Sequence, residues 1–187
     1  MTTAINSKHR LIIFIAVLIA IGAGIGGYAH QQNKTFKSYV VGLTTPGTKA
    51  WVSAAYLDNK TAILGGALRG EWKQTYKTNV FFHKPMPREI YVNWKDEKSH
   101  NRYEASVRLA TDLTERAKKL PKAHLIVANS DIDTPVIIIG LANTGKVTVW
   151  LSNVEHGHNI SGRVLEVIGR ATGHVTTKTP PLYPQQP

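Results

Sequence analysis

Hydrophobic and polar residues alternate along much of this chain with a period of two, which is typical of strands that bury one face. The clearest examples are residues 89–95 and residues 102–109. In each, the apolar residues share one face: Ile90, Val92, Trp94, Tyr103, Ala105, Val107 and Leu109. The polar residues 96–101 between them are typical of a hairpin connection. We therefore expect two paired strands that contribute to one core.

Other short apolar segments lie between turn-forming residues and predict further strands. They cover residues 38–44, 51–57, 61–64, 71–76, 79–82, 125–128, 135–142 and 146–152. Asn143-Thr144-Gly145 separates the last two and is the clearest hairpin signal in the chain. Residues 160–168 fit either a strand or a helix.

One short helix is predicted, with Thr111 as its cap and Pro121 directly after its end. Acidic residues occupy its first turn and basic residues its last turn, as the helix dipole favours. Its apolar residues share one face: Leu113, Ala117 and Leu120. The predicted fold is α+β, mainly an antiparallel sheet or sandwich with this helix packed on it.

The N-terminal region follows a different pattern, because residues 11–29 carry no formal charge and begin with an unbroken apolar run. This length is close to that of a membrane-spanning helix. A secretory signal peptide cleaved near Ala29 also fits, since Lys8 and Arg10 precede the run and Gly27 and Ala29 are small. Both alternatives predict export of the domain that follows.

This pattern predicts five regions and a location. Residues 1–10 form a cytoplasmic region, 11–29 a transmembrane anchor or signal peptide, 30–37 a linker, 38–175 an extracytoplasmic α+β domain, and 176–187 a disordered proline-rich tail. An uncleaved anchor places the protein in the inner membrane as a single-pass protein with its C-terminal domain in the periplasm. Cleavage makes it periplasmic.

Composition excludes several kinds of chemistry. The chain has no cysteine, so it has no disulfide, thiolate zinc site, cysteine nucleophile or cysteine-linked lipid. Its formal net charge is +11, and +9 remains without Lys8 and Arg10. This charge fits either an anionic partner or solubility.

Two local patterns resemble catalytic or metal sites. Residues 140–146 match most of a phosphate-binding loop, but Val147 replaces the hydroxyl residue that holds magnesium, and a strand pattern follows instead of a helix. Glu155, His156 and His158 suggest a metal site that would need a further distant ligand. Since neither pattern is complete, we predict a hairpin and a polar loop, with no catalytic, cofactor-binding or metal-binding residue and no enzymatic activity.

Tyr91, Arg102 and Arg108 are the predicted partner-binding residues. They lie on the polar face of their strands, opposite Trp94, and aromatic and arginine side chains are enriched at protein interfaces. Specific nucleic-acid binding is not predicted.

Residues 85–152 resemble a family of uncharacterised bacterial proteins described as lipoproteins. The resemblance lies in Trp94 within a strand, Tyr103 at the start of the next strand, and the strand Gly145-Lys-Val-Thr-Val-Trp-Leu151. It implies an exported envelope domain, and similar envelope proteins include immunity partners of type VI secretion effectors. This chain lacks the lipid-bearing cysteine, so either residues 11–29 would replace the lipid as anchor or the protein would be released.

The sequence and the resemblance together favour a membrane-anchored extracytoplasmic module that binds a protein partner, with a secreted toxin as the specific expectation. A module that neutralises a toxin in this way is an immunity protein, and it would act by covering a surface of the toxin. The first alternative is a structural subunit of an envelope or secretion assembly. An envelope hydrolase is the second alternative.

Overall fold

The computed structural model describes residues 36–70, 72–158 and 160–178. Residues 1–35 and 179–187 lie outside these ranges. The predictions for the cytoplasmic region, the membrane or signal segment, most of the linker and most of the tail therefore lie outside the described residues. Among the described residues, no helix is long and apolar enough to cross a membrane.

The described residues form fourteen strands and one helix. In chain order they are β1 Ser38–Thr44, β2 Ala50–Leu57, β3 Thr61–Ala62, β4 Gly66–Leu68, β5 Lys77–Phe82, β6 Glu89–Asp96, β7 Arg102–Arg108, α1 Leu113–Lys118, β8 Ala123–Leu125, β9 Ser130–Ile132, β10 Val136–Leu141, β11 Lys146–Ser152, β12 Ile160–Ser161, β13 Leu165–Thr172 and β14 His174–Val175. This content confirms the predicted α+β class with one short helix.

The strands form two large sheets and one small sheet. Sheet 1 has the order β13-β11-β10-β1-β5, in which β1 runs parallel to β10 and antiparallel to β5. Sheet 2 has the order β14-β7-β6-β2-β3, with β4 also paired to β2, and all of its pairs are antiparallel. The small sheet has the order β12-β8-β9.

One core lies between the inward faces of the two large sheets. Sheet 1 contributes alternate residues such as Val41, Ile137 and Val149, and sheet 2 contributes Trp94 and Val107, all of them fully buried. Helix α1 adds Leu113 and Ala117 to the same core. The alternation that predicted Ile90, Val92 and Trp94 on one buried face is confirmed, as is that of Tyr103, Ala105, Val107 and Leu109.

Strands β13 and β14 connect the two sheets at Gly173. The Gly173 N–H donates to Gly145 O at 2.8 Å, beside the β10–β11 turn. A Cβ atom at residue 173 would lie 2.9 Å from Glu104 O and 3.0 Å from the Trp94 ring. Only glycine fits this close approach, which lets the chain leave sheet 1 and pair with β7.

Several local predictions are wrong, each for a physical reason. Thr111 does not cap α1: the N-cap is Asp112, without a side-chain cap bond, and its carboxylate pairs with Arg116 at 2.8 Å. The described residues 72–76 form a turn, because Trp72 packs on sheet 1 instead of pairing as a strand. Residues 126–129 are the β8–β9 turn.

Two further predictions agree with the structure. Residues 160–168 divide into β12 and the beginning of β13, so the strand alternative was the correct one. The sheets are mainly antiparallel, as predicted, with β1 and β10 as a parallel pair.

Candidate functional site

The outer face of sheet 1 carries a second apolar cluster, on the side opposite the main core. Val40, Val136, Ile138 and Trp150 are buried there, and three partly buried residues pack on them: Trp72, Leu165 and Val167. Both faces of this sheet are therefore apolar, which strands in the middle of a sheet require when both sides are covered.

The segment 72–76 covers one half of this face. Trp72 meets Trp150 edge to face, with ring centroids 5.0 Å apart. Gly140 makes room for both rings, since a Cβ atom there would lie 2.6 Å from the Trp150 ring and 2.8 Å from the Trp72 ring. Gly42 does the same for Thr75, whose Cγ2 would lie 2.2 Å from an added Cβ.

The other half of the face is open as a groove of about 380 Å³. Sheet 1 contributes Val40, Val80 and Val136, and the remaining apolar lining comes from the small sheet and the loop after β11: Leu125, Ile132, Val154 and Ile160. Ser38, Thr134, Glu155 and His156 supply its polar groups. The groove is thus a mainly apolar surface with a few polar groups, the composition usual for binding sites.

Exposed apolar side chains flank this groove. Val80 is 52% exposed and Phe82 64%, both on the outer face of β5, while Ile126 is 61% and Val127 77% exposed at the β8–β9 turn. Isolated exposed apolar residues are common, but a contiguous apolar patch marks a site of interaction. Val80 belongs to the lining of the groove, and Phe82, Ile126 and Val127 lie within two residues of its lining residues Val80 and Leu125.

Asn153 holds the connections around the small sheet in place. Its buried side chain donates from Nδ2 to Pro121 O and Gly162 O, each at 2.9 Å, and its Oδ1 accepts from the Val164 N–H at 2.9 Å. These bonds link the segment before β8 to the segment after β12. One buried amide thus joins the segments that flank two strands of the small sheet.

Of the three residues considered as metal ligands, Glu155 and His156 line the groove and His158 does not. The Thr75 hydroxyl donates to Glu155 Oε2 at 3.4 Å, and the Thr75 N–H donates to Glu155 O at 3.1 Å. The two imidazole ring centroids are 6.5 Å apart. Within the described part of the chain, no group of three histidine or acidic side chains could hold a metal ion.

Residues 140–146 form the predicted hairpin. The Gly145 N–H donates to Ala142 O at 3.1 Å, the Ala142 N–H donates to Lys146 O at 2.9 Å, and Gly145 has φ +81°. Strand β11 follows the turn where a phosphate-binding loop needs a helix.

Tyr91, Arg102 and Arg108 all lie on the outer face of sheet 2, as predicted from their alternation with core residues. Arg102 and Arg108 are at opposite ends of β7. Tyr91 is on β6 and pairs with Ser106 of β7. The three residues share a face, with other side chains between them.

Two of the three predicted residues bind neighbouring side chains. Tyr91 stacks on Tyr56 with ring centroids 5.9 Å apart, and its hydroxyl donates to Glu104 Oε2 at 3.4 Å. Burial raises the pKa of the Tyr91 hydroxyl, and the negative charge of Glu104 raises it further. Arg102 Nη1 donates to Ser53 Oγ at 3.3 Å.

Arg108 is the exposed member of the set. It lies opposite Glu89 in the β6–β7 ladder and lines a separate surface pocket with Arg88 and Thr111. The face thus combines aromatic and charged groups that contact one another, and it differs in character from the apolar groove on sheet 1.

Sequence reasoning did not identify the groove. One signal was present: residues 136–139 are an unbroken apolar run, which indicates a strand apolar on both faces. The pairing of β1 with β5 and β10, which brings Val40, Val80 and Val136 together, depends on contacts that are distant in sequence.

Residues 28–179 match the family described as Protein of unknown function (DUF2931). No curated protein and no solved structure matches the chain.

Proposed function

Because the chain belongs to the DUF2931 family, whose function is unknown, we propose from its geometry that the domain is a protein-binding module that docks a partner on the outer face of sheet 1. The observation that carries this proposal is the apolar groove, whose lining includes the exposed Val80, together with the exposed Phe82, Ile126 and Val127 close to that lining in sequence. A chain with net charge +11 gains solubility from that charge, so a contiguous apolar patch on it needs a separate explanation.

A protein fits this surface better than a small molecule. The groove of about 380 Å³ lies at the low end of small-molecule pockets, which hold about 300–1,000 Å³. Three exposed apolar side chains lie outside the lining of the groove: Phe82, Ile126 and Val127. A small ligand buried in the groove would leave them exposed to water. A macromolecule can cover the groove and these side chains together.

The mode of action proposed is occlusion. The domain would cover a functional surface of its partner, without chemistry of its own. Within this proposal the module is membrane-anchored and extracytoplasmic, and its partner is a secreted effector that it neutralises. This part rests on the apolar residues 11–29 and on the sequence resemblance.

A structural subunit of an envelope assembly is the second candidate. The same exposed apolar groove favours it, because a subunit would bury this face against its neighbours. The two candidates differ in stoichiometry: an immunity protein forms a closed complex with one partner, whereas a structural subunit assembles further.

The test is co-purification of the full chain with the product of the adjacent gene, followed by size-exclusion chromatography with light scattering. We expect a closed complex of fixed stoichiometry. Val136→Asp buries a charge in the groove and should abolish the complex. Since this substitution also threatens folding, the exposed substitutions Val80→Asp and Val127→Asp are made in parallel and should weaken the complex by about tenfold or more.

The matched control is the outer face of sheet 2, changed by Arg102→Ala and Arg108→Ala. These variants should bind like the wild type. Loss of binding in the control with retention in Val80→Asp would move the docking site to the predicted aromatic and cationic face. A chain that binds no neighbouring product and assembles with itself would overturn the proposal in favour of a structural subunit.

A further inference from the structure

Strand β5 is the edge of sheet 1 next to the groove, and its ladder with β1 is regular. Six consecutive pairs run from Ser38–Phe82 to Leu43–Lys77 without a bulge. Among the described residues, no strand pairs with the other edge of β5. Such an edge presents unpaired backbone N–H and C=O groups.

The hydrogen-bond pattern shows which residues of β5 have outward-facing backbone groups. The Val40 N–H donates to Pro135 O at 2.9 Å, toward β10 and away from β5. The Leu43 O accepts from the Tyr76 N–H at 2.9 Å, so Leu43 and the residues of β1 that alternate with Val40 face β5 in hydrogen-bonded pairs. Because these pairs alternate in an antiparallel ladder, the backbone groups of Thr78, Val80 and Phe82 point away from β1.

The same three residues place their side chains on the groove side of sheet 1. Val80 lines the groove, and Phe82 lies two residues further along the same face. A strand added to this edge would therefore form backbone hydrogen bonds with β5 and place every second side chain over the groove.

Natural edge strands usually carry a protecting feature such as proline, a bulge or a charged residue in the strand. Residues 78–82 contain no proline and no charged side chain. Lys77, at the start of β5, donates from Nζ to Gly65 O at 2.8 Å instead of blocking the edge.

The charges around β5 indicate the chemistry of the incoming strand. Lys37 and Lys84 are exposed beside the last pairs of the β1–β5 ladder, and no ion pair joins either of them to a carboxylate in the described ranges. The net charge of +11 on each chain opposes pairing with a second copy. An acidic residue at this end of the incoming strand would complement the two lysines.

We infer that the partner docks by β-augmentation: an extended segment of another protein, apolar at alternate positions and acidic at the end beside Lys37 and Lys84, adds a strand to the free edge of β5. This inference rests on the proposed function and names its binding mode. The backbone bonds would supply affinity, and the groove would select the alternate apolar side chains.

The test uses a phage-displayed library of random 12-residue peptides selected on the full chain. Enriched peptides should alternate apolar and polar residues and carry acidic residues near one end. Val80→Pro removes an N–H that points away from β1, so the variant keeps the ladder of sheet 1 but cannot donate to an added strand. We expect it to weaken binding of the enriched peptide by about tenfold or more.

Val80→Thr is the matched control, because it keeps the N–H and the branched shape. It should weaken binding by about threefold or less. If Val80→Pro does not fold, amide hydrogen exchange on the wild type provides a second measurement. Peptide binding should slow exchange at Thr78, Val80 and Phe82 by about tenfold or more, and leave Asn79 and Phe81, whose amides face β1, nearly unchanged.

Equal binding by Val80→Pro, helical spacing in the enriched peptides, or unchanged exchange at residues 78, 80 and 82 would each overturn strand addition. Exchange at these amides that slows with protein concentration alone would show pairing with a second copy instead. These results concern the binding mode. If the co-purified complex forms through the groove while these amides stay unprotected, β-augmentation fails and the proposed function stands.

Discussion

The two large sheets of this domain share one core, yet their outer faces differ. The outer face of sheet 1 buries Val40, Val136 and Trp150 and leaves an apolar groove beside them. The outer face of sheet 2 carries Tyr91 and Arg102, which bind neighbouring polar and aromatic side chains. The first face is apolar and only partly covered, whereas polar and aromatic side chains on the second contact one another.

This difference shows why residue type alone does not identify an interaction surface. Tyrosine and arginine are common at interfaces, but an arginine that already donates to Ser53 must give up that contact to bind a partner. An exposed valine or phenylalanine has no such contact to lose, and it gains by leaving water.

The largest expected effect compares two tryptophans on the two outer faces. Trp150 is 4% exposed on sheet 1, and Trp150→Ala should lower the free energy of unfolding by about 3–5 kcal/mol, because it leaves a large cavity under Trp72. Trp51 is 54% exposed on sheet 2, and Trp51→Ala should lower the free energy of unfolding by less than about 1 kcal/mol. Urea unfolding of both variants measures the difference. Similar decreases in the free energy of unfolding would contradict the description of the outer face of sheet 1 as a second apolar cluster.

Asn153→Ala should have the next largest effect, about 2–3 kcal/mol, because it removes all three hydrogen bonds of a buried amide side chain. We also expect faster amide exchange in β8 and β12, since the connections that Asn153 joins would loosen. Asn101→Ala is the control: its amide donates to the Tyr103 hydroxyl at 3.3 Å in an exposed hairpin, and its loss should cost less than about 1 kcal/mol. Unchanged exchange in β8 and β12 would show that Asn153 does not position the small sheet.

The smallest effect concerns Tyr91 and tests the polar contacts of the sheet 2 face. Burial is the main cause of its raised pKa, and Glu104 adds to it. Glu104→Gln should therefore lower the pKa of Tyr91 but leave it above the ordinary value. Nuclear magnetic resonance of carbon-13-labelled tyrosine would follow this titration.

The stability consequence of the Tyr91 pKa has a definite sign. A folded-state pKa above that of an unfolded tyrosine means that stability is fully present below about pH 10 and falls as pH rises further. The fall should be smaller in Glu104→Gln than in the wild type. An unchanged Tyr91 pKa in the variant would show that the Glu104 contact is not formed in solution.

Local patterns predicted most of the strands but not the way they meet. The alternation around Trp94 and Tyr103 depends on a period of two within one segment, so it identified β6, β7 and their shared core face. The Asn143-Thr144-Gly145 turn likewise depends on adjacent residues. The docking of Trp72 depends instead on a tertiary contact with Trp150, and residues 126–129 form the local turn of the β8–β9 hairpin; the strand propensity of both segments was misleading.

The candidate groove was harder to predict because its residues are far apart in sequence. Val40, Val80 and Val136 meet only through the pairing of β1 with β5 and β10. Tyr91, Arg102 and Arg108 belong to one hairpin, which is why their common face could be predicted. Whether that face binds a partner stays a prediction.

The position of β1 between β5 and β10 has a consequence for how the chain folds. Val40 pairs with Val80 on one side and with Val136 on the other. Strand β1 therefore cannot complete its pairing until β10, which is synthesised much later, is available. Such non-local pairing slows folding, because distant segments must meet before their contacts stabilise them. During synthesis the apolar residues of β1 therefore stay unpaired until β5 and β10 emerge, and the nascent chain is most prone to aggregation in that interval.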